Sequence, residues 1–205
     1  MRVWCLQGVA VDANTYIVAS DHSDAAVIID PTRYRQLSAL LHQENLRPIA
    51  ILLTHGHFDH TSAVTDLLQD YPIPVYLHPG DEQMLSDPEC NAFHYFFPEE
   101  LFEPIEQYQA VTHQQKLCLG DLDFTVLSTP GHSEGSVCYL IDDRLFSGDT
   151  LFRGSYGRYD LWGGNRQKLM VSLERLGLLD QSIKVYPGHG ESTTIYQEYF
   201  KYKRF

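Results

Sequence analysis

From Val3 to Asp30 the apolar positions come in short runs separated by turn residues. This predicts strands over Val3 to Val11, Thr15 to Ala19 and Ala25 to Ile29, arranged as an antiparallel meander and closed by Asp30-Pro31. Leu37, Leu40 and Leu41 then recur at helical spacing between Tyr34 and Glu44, and Ile49 to Leu53 is a continuous apolar run of the kind a buried strand shows. Thr61 to Leu68 reads as a helix, and Val75 to Leu77 as a strand stopped by His78-Pro79-Gly80. Strands resume at Phe124 to Leu127, Ser136 to Ile141 and Leu145 to Phe146. A helix capped by Asn165 runs toward Leu178, a last strand covers Ile183 to Tyr186, and a closing helix is expected over Thr193 to Tyr202. Strands and helices in this alternation suggest helices packed outside sheets.

There is no internal repeat, low-complexity tract or Pro/Gly/Ser-rich linker, so residues 1–205 are expected to form one domain, and that length supports a stable core. Between Asp87 and Tyr108, six acids mix with six aromatics and no Lys or Arg, which marks 87–108 as a candidate insertion able to cover a cleft or meet another subunit. The formal net charge of -12 disfavours diffuse attraction to nucleic acid or an anionic membrane surface. No stretch approaches the roughly 18 apolar residues of a membrane span. Met1 to Cys5 lacks the apolar core of a secretory signal, so the expected compartment is cytoplasmic. Cys5, Cys90, Cys118 and Cys138 have no C-x-x-C spacing and are expected to be buried free thiols.

Chemistry concentrates directly after the run Ile49 to Leu53. Thr54-His55-Gly56-His57-Phe58-Asp59-His60 gathers three imidazoles and a carboxylate, the ligand types zinc, iron or manganese accept. At a strand end, alternate side chains converge, so that His55 and His57 can face one metal while Asp59 and His60 face another. Gly131-His132-Ser133, Ser147-Gly148-Asp149 and Gly188-His189-Gly190 add donors on glycine-bearing loops, where a tight backbone can aim a side chain into a shared site. His22, His42, His78, His94 and His113 sit in no motif and are expected to be structural or exposed.

The H-x-H-x-D-H run followed in order by Gly131-His132, Gly148-Asp149 and Gly188-His189 resembles the metallo-β-lactamase superfamily over essentially the whole chain. Phe152, Gly154, Gly157 and Arg158 further resemble the hydroxyacylglutathione hydrolase (glyoxalase II) branch and its short single-domain relatives. The resemblance implies an α/β (α+β) fold, a four-layer αββα sandwich with two divalent metal ions at one edge, zinc foremost and iron or manganese as alternatives. It assigns His55, His57 and His132 to the first metal, Asp59, His60 and His189 to the second, and Asp149 to the bridge. An aspartate there, where some β-lactamases of the superfamily use a cysteine, counts against that antibiotic-hydrolysing subclass.

The implied reaction is attack of a metal-bridging hydroxide on a small thioester or ester, with Asp59 orienting the water or relaying its proton. Arg158 is expected to bind an anionic part of the substrate, the alternative being a salt bridge to Asp160 or to the Asp149 loop. Asp160 departs from the branch pattern, which has a tyrosine used in glutathione binding at that place. The sixteen residues after His189 leave room for one helix rather than a further helical domain. Tyr156 and Tyr159 to Trp162 could line the pocket, or else pack under the sandwich.

A second enzyme class fits part of the same ligand set. Persulfide dioxygenases would use the equivalents of His55, His57, Asp149 and a histidine such as His132 for a single iron, leaving Asp59, His60 and His189 over. A third class is a metal-binding module whose acidic aromatic segment recruits a partner. Nucleic-acid processing would need a basic surface that this chain lacks. The expected partner is a small-molecule thioester or ester, with neither nucleic acid nor membrane; oligomeric state is not legible.

Overall fold

The computed structural model describes residues 1–199. A first sheet has the strand order β1 (Arg2–Leu6), β2 (Thr15–Ala19), β3 (Ala25–Ile29), β4 (Arg47–Leu52), β5 (Val75–Leu77), β6 (Gln109–Ala110). β1 to β3 form the expected antiparallel meander, and β3 to β6 are parallel. The second sheet uses β7 (Lys116–Leu119), β8 (Leu122–Ser128), β9 (Val137–Ile141), β10 (Arg144–Gly148), β13 (Lys184–Pro187) and β14 (Thr193–Thr194), in the order β14-β13-β10-β9-β8-β7. β11 (Leu151–Phe152) and β12 (Ser155–Tyr156) make a separate small hairpin.

Strand alternation divides the apolar residues between two layers. Tyr16, Val18, Val27, Ile29, Ala50 and Leu52 face the inter-sheet core with Phe124, Val126, Tyr139 and Phe146. Their neighbours Ile17, Ala19, Ala26, Ile28, Ile51 and Leu53 point the other way. They pack on α1 (Tyr34–Gln43) through Leu37 and Leu41 and on α3 (Val64–Asp70) through Val64 and Leu67. These strands read as unbroken apolar runs because both their faces are covered. On the far side, Cys138, Leu145 and Val185 pack on Leu169, Leu173 and Leu176 of α5 (Arg166–Gly177) and on Ile195 of α6 (Ile195–Tyr199). The result is the four-layer αββα sandwich.

Several boundaries moved. The first strand stops at Leu6, and residues 7–14 form a loop whose Asn14 side chain braces the His189 loop by donating to the Pro187 and Gly190 carbonyls, both at 3.0 Å. The helix expected over Thr61 to Leu68 is two pieces, α2 (Phe58–Thr61) and α3, so Asp59 and His60 lie on a helical turn. After β5 comes a 3₁₀ helix, Pro79–Leu85, and α4 (Phe93–Phe96) lies within the acidic aromatic segment. The helix expected over Thr193 to Tyr202 is β14 followed by α6; its last residues lie outside the described ones. Asn165 caps α5 as expected, accepting from the Lys168 amide at 3.0 Å. Cys90 and Cys138 are buried, whereas Cys5 and Cys118 are exposed, because they sit on the edge strands β1 and β7. Among the described residues, no helix is long and apolar enough to cross a membrane.

Candidate metal centre

The ligand-bearing loops leave the carboxyl ends of β4, β8, β10 and β13, so both sheets deliver their donors to one edge of the sandwich. The His132 loop is fixed by α5: the Asn165 amide donates to the Gly131 carbonyl at 2.8 Å. At φ +140°, Gly131 packs so closely that a Cβ would come within 2.2 Å of the Leu169 nitrogen, so only glycine fits.

Among the described residues three overlapping groups of donors are close enough to share an ion: His55, His57 and His132; Asp59, His60 and His189; and His55, His60 and Asp149. His55, His57 and His132 form a buried trio: His57 Nδ1 lies 2.9 Å from His132 Nε2, which lies 3.2 Å from His55 Nε2. Asp59, His60 and His189 form the second group, with His189 Nε2 3.2 Å and His60 Nε2 3.8 Å from Asp59 Oδ2. Asp149 stands between them. Its Oδ1 is 3.2 Å from His60 Nε2, and its Oδ2 is 3.7 Å from His132 Nε2 and 3.6 Å from His189 Nε2.

Hydrogen bonds around the rim fix which nitrogen of each ring faces inward. His132 Nδ1 donates to the Arg158 carbonyl at 2.7 Å, which turns Nε2 toward the other rings. The Thr54 hydroxyl donates to Asp30 Oδ2 at 2.7 Å and therefore accepts from His55 Nδ1 at 3.1 Å, leaving His55 Nε2 bare. Nε2 of His55 and Nε2 of His132 thus face each other across 3.2 Å, with His57 Nδ1 2.9 Å from the latter, three ring nitrogens turned toward one point where a cation would be held. His60 Nε2 and Asp149 Oδ1 are likewise buried without a hydrogen-bond partner despite their proximity. The residues fit a metal.

Asp30 was not singled out by the sequence, where an acid ahead of a proline reads as a turn. Buried at φ +50°, it accepts from His60 Nδ1 at 2.8 Å, the Thr54 hydroxyl and the Thr54 amide at 2.8 Å, and so orients imidazoles from both groups. Asp81 was also missed. Its buried carboxylate accepts from Gly56 N at 3.1 Å, Ser133 Oγ at 2.6 Å and Gly135 N at 2.7 Å, tying the His55–His57 loop to the His132 loop. Phe58, between His57 and Asp59, carries a ring that meets Phe93, Phe96 and Phe97, so the acidic aromatic segment packs onto the centre. Arg158 reaches the same cleft. Tyr156 packs under the sandwich, and Trp162 is 41% exposed. His78 caps the 3₁₀ helix, and His94 and His113 make surface contacts.

Electrostatics separates the groups. Burial, reinforced by neighbouring imidazoles, holds His55 well below the ordinary histidine range and His57 down at about 3, so these two rings are neutral at pH 7. Burial acts in the same direction on His60, but Asp149, Asp30 and Asp59 outweigh it and raise His60 well above that range. At His189, burial is outweighed by the hydrogen bond to Asp59 and the charge of Asp149, so it too is raised. Burial would raise Asp149, but the facing His60 holds it low. In the metal-free protein His60 therefore carries a proton at neutral pH, and His189 holds its proton more firmly than a free imidazole; a metal must displace what they hold. Loading two divalent ions at pH 7 is expected to release roughly one to two protons, and affinity is expected to fall as pH falls. Calorimetry in buffers of different ionisation enthalpy measures both.

A family model described as the metallo-beta-lactamase superfamily matches residues 8–189. The chain belongs to the metallo-β-lactamase superfamily. Within it, the chain is 36% identical to a probable metallo-hydrolase of Bacillus subtilis, over 92% of this chain and 90% of that one. It is 34% identical to a hydroxyacylglutathione hydrolase of Nitrosomonas eutropha, of which it spans 61%, while 86% of this chain is covered. Three solved structures are similar. One described as the B3 metallo-beta-lactamase BLEG-1 has a TM-score of 0.87 and 38% identity, with 96% of each chain covered. A di-iron-bound form of TTHA1623 has a TM-score of 0.84 and 37% identity, covering 95% of this chain and 96% of that one. ETHE1 from Myxococcus xanthus has a TM-score of 0.80 and 28% identity, covering 100% and 84%. Superfamily membership and the His-rich centre make this a metal-dependent hydrolase type of protein.

Proposed function

We propose that the chain is a binuclear metallohydrolase that cleaves a small thioester or ester, with His55, His57 and His132 holding one ion, Asp59, His60 and His189 the other, and Asp149 shared. The observation that carries this reading is the position of Asp149, whose oxygens face both groups. The di-iron form of a 37% identical structure supports two ions rather than one. When bound, the ions supply an activated water at neutral pH and polarise the carbonyl. Water adds across the acyl–sulfur bond, its hydroxyl going to the acyl carbon and its proton to the departing sulfur. Asp59, kept ionised by His60 and by the hydrogen bond from His189 against the effect of burial, is placed to orient that water and take its proton. His55, His57, His60 and His132 are all buried, while His189 is 34% exposed at the solvent side.

The second reading, a mononuclear-iron oxygenase resembling the persulfide dioxygenases, is the one the similarity to ETHE1 favours. Metal content on protein purified without chelators, paired with turnover, separates the two. Close to two metals per chain with hydrolysis of lactoyl-glutathione or a simpler thioester is the expected result. One iron, oxygen uptake on a persulfide and no hydrolysis would establish the oxygenase instead. The similarity to a B3 β-lactamase makes a β-lactam the control substrate.

A further inference from the structure

Two of the donor loops are held from the opposite sheet. Tyr139 on β9 is buried in the inter-sheet core, and its hydroxyl donates across that core to the Leu53 carbonyl at 2.9 Å. Two residues earlier on the same strand, the Val137 amide donates to the next carbonyl, that of Thr54, at 2.8 Å. The other sheet repeats the arrangement. Tyr16 on β2 donates through its hydroxyl to the Pro187 carbonyl at 2.7 Å, and two residues earlier the Asn14 amide donates to the Gly188 carbonyl at 2.6 Å. Leu53-Thr54 lead directly into His55, and Pro187-Gly188 directly into His189. Each sheet thus offers an amide and, two residues on, a tyrosine hydroxyl to the consecutive carbonyls from which the other sheet's donors spring.

We propose that Tyr16 and Tyr139 are positioning residues of the metal centre, each hydroxyl fixing the donor loop that the opposite sheet carries. This rests on the two-ion reading above and adds which part of the chain sets the seat of each ion. The two tyrosines differ in reach. The loop held by Tyr139 carries His55, His57, Asp59 and His60, donors to both ions, whereas the loop held by Tyr16 carries His189 alone. Asp59 and His189 lie 3.2 Å apart although they follow strands of different sheets, so their spacing depends on how the sheets are tied at this edge. Core packing alone does not call for the hydroxyls. The Tyr16 ring packs edge-on against Phe146 and Tyr186, with centroids 5.3 and 5.5 Å away, and phenylalanine would fill the same space. A hydroxyl placed in such a core costs free energy unless it is paired, and both of these are paired to donor-loop carbonyls. Burial pushes both phenols above the ordinary tyrosine range, so they remain protonated donors.

The test compares Tyr16→Phe and Tyr139→Phe with the wild type in two measurements: calorimetric titration of the metal-free protein with Zn²⁺, and amide hydrogen exchange without metal. Tyr16→Phe is expected to weaken one of the two Zn²⁺ steps by about tenfold, the scale of one buried hydrogen bond, and to leave the other within about twofold. Tyr139→Phe is expected to weaken both steps by about tenfold. In the metal-free protein, Tyr16→Phe should speed exchange over residues 188–190 and Tyr139→Phe over residues 54–60, each leaving the other loop at the wild-type rate. A merely structural role would loosen the sandwich as a whole. Faster exchange of both loops in each variant, or wild-type exchange and affinities in both, therefore overturns the proposal. The Pro187 carbonyl keeps the Asn14 side chain as a second donor at 3.0 Å, so Tyr16→Phe is expected to fold and decides the matter alone if Tyr139→Phe does not. Uptake of a single Zn²⁺ by the wild type defeats the two-ion reading instead, and the exchange pattern of the metal-free variants still decides whether the hydroxyls position the loops.

Discussion

Asp149→Ala is expected to lower thioester hydrolysis by roughly three orders of magnitude, the scale on which loss of a key electrostatic stabiliser is felt, and to reduce the metal retained per chain. Three imidazoles lie within 3.7 Å of the Asp149 carboxylate oxygens, from both donor groups, so removing it withdraws the anion the two groups share. A second consequence concerns protons. Asp149 is the largest of the contributions that raise His60, so without it His60 falls back toward the ordinary histidine range and binds its proton less firmly in the metal-free state. The variant should therefore release fewer protons on whatever metal it still binds. Elemental analysis, turnover and calorimetry on one preparation read all three. Wild-type metal content together with wild-type turnover in the variant would remove Asp149 from the centre.

Gly188→Ala is expected to leave a folded protein that holds metal about 10- to 100-fold more weakly, the range typical of disturbing the groups that orient ligands. An added Cβ would stand 2.2 Å from Asp149 Oδ1 and 2.6 Å from His60 Cε1, closer than atoms can approach. The backbone at Gly188 does not require the left-handed region, so alanine is tolerated by the chain itself and the disturbance falls on the two ligands. Circular dichroism should report an intact fold while metal titration reports the loss. Unfolding of the variant, or metal affinity equal to wild type, would contradict this account.

That the seven proposed donors come together at one edge was legible in the sequence because imidazoles and carboxylates in strand-end loops carry their chemistry in their residue types, and the strands they follow announce themselves as apolar runs. The four layers were legible for the same reason: β2 and β3 are apolar on both faces and α1 on one. Asp30 and Asp81 were not, since a lone acid near a proline reads as a turn, and its role exists only once residues 24 to 54 positions away fold against it. The break between α2 and α3 escaped because apolar spacing carries across it while the backbone does not. Short strands such as β6, β11 and β14 are defined by their partners and have almost no pattern of their own. Composition marked 87–108 as unusual, but could not say that its rings would meet Phe58.

Phe58 sits in the chain between one donor of each group, and its ring leans on α4 and on Phe97 just beyond it. The segment that covers the cleft is therefore also a buttress for the backbone that spaces the two donor groups. Within it the rings facing Phe58, rather than the acids, make that contact. Replacing the segment to reshape the cleft would therefore also withdraw the support of the residue that separates His57 from Asp59, so that the shape of the cleft and the spacing of the donors depend on the same few aromatic contacts.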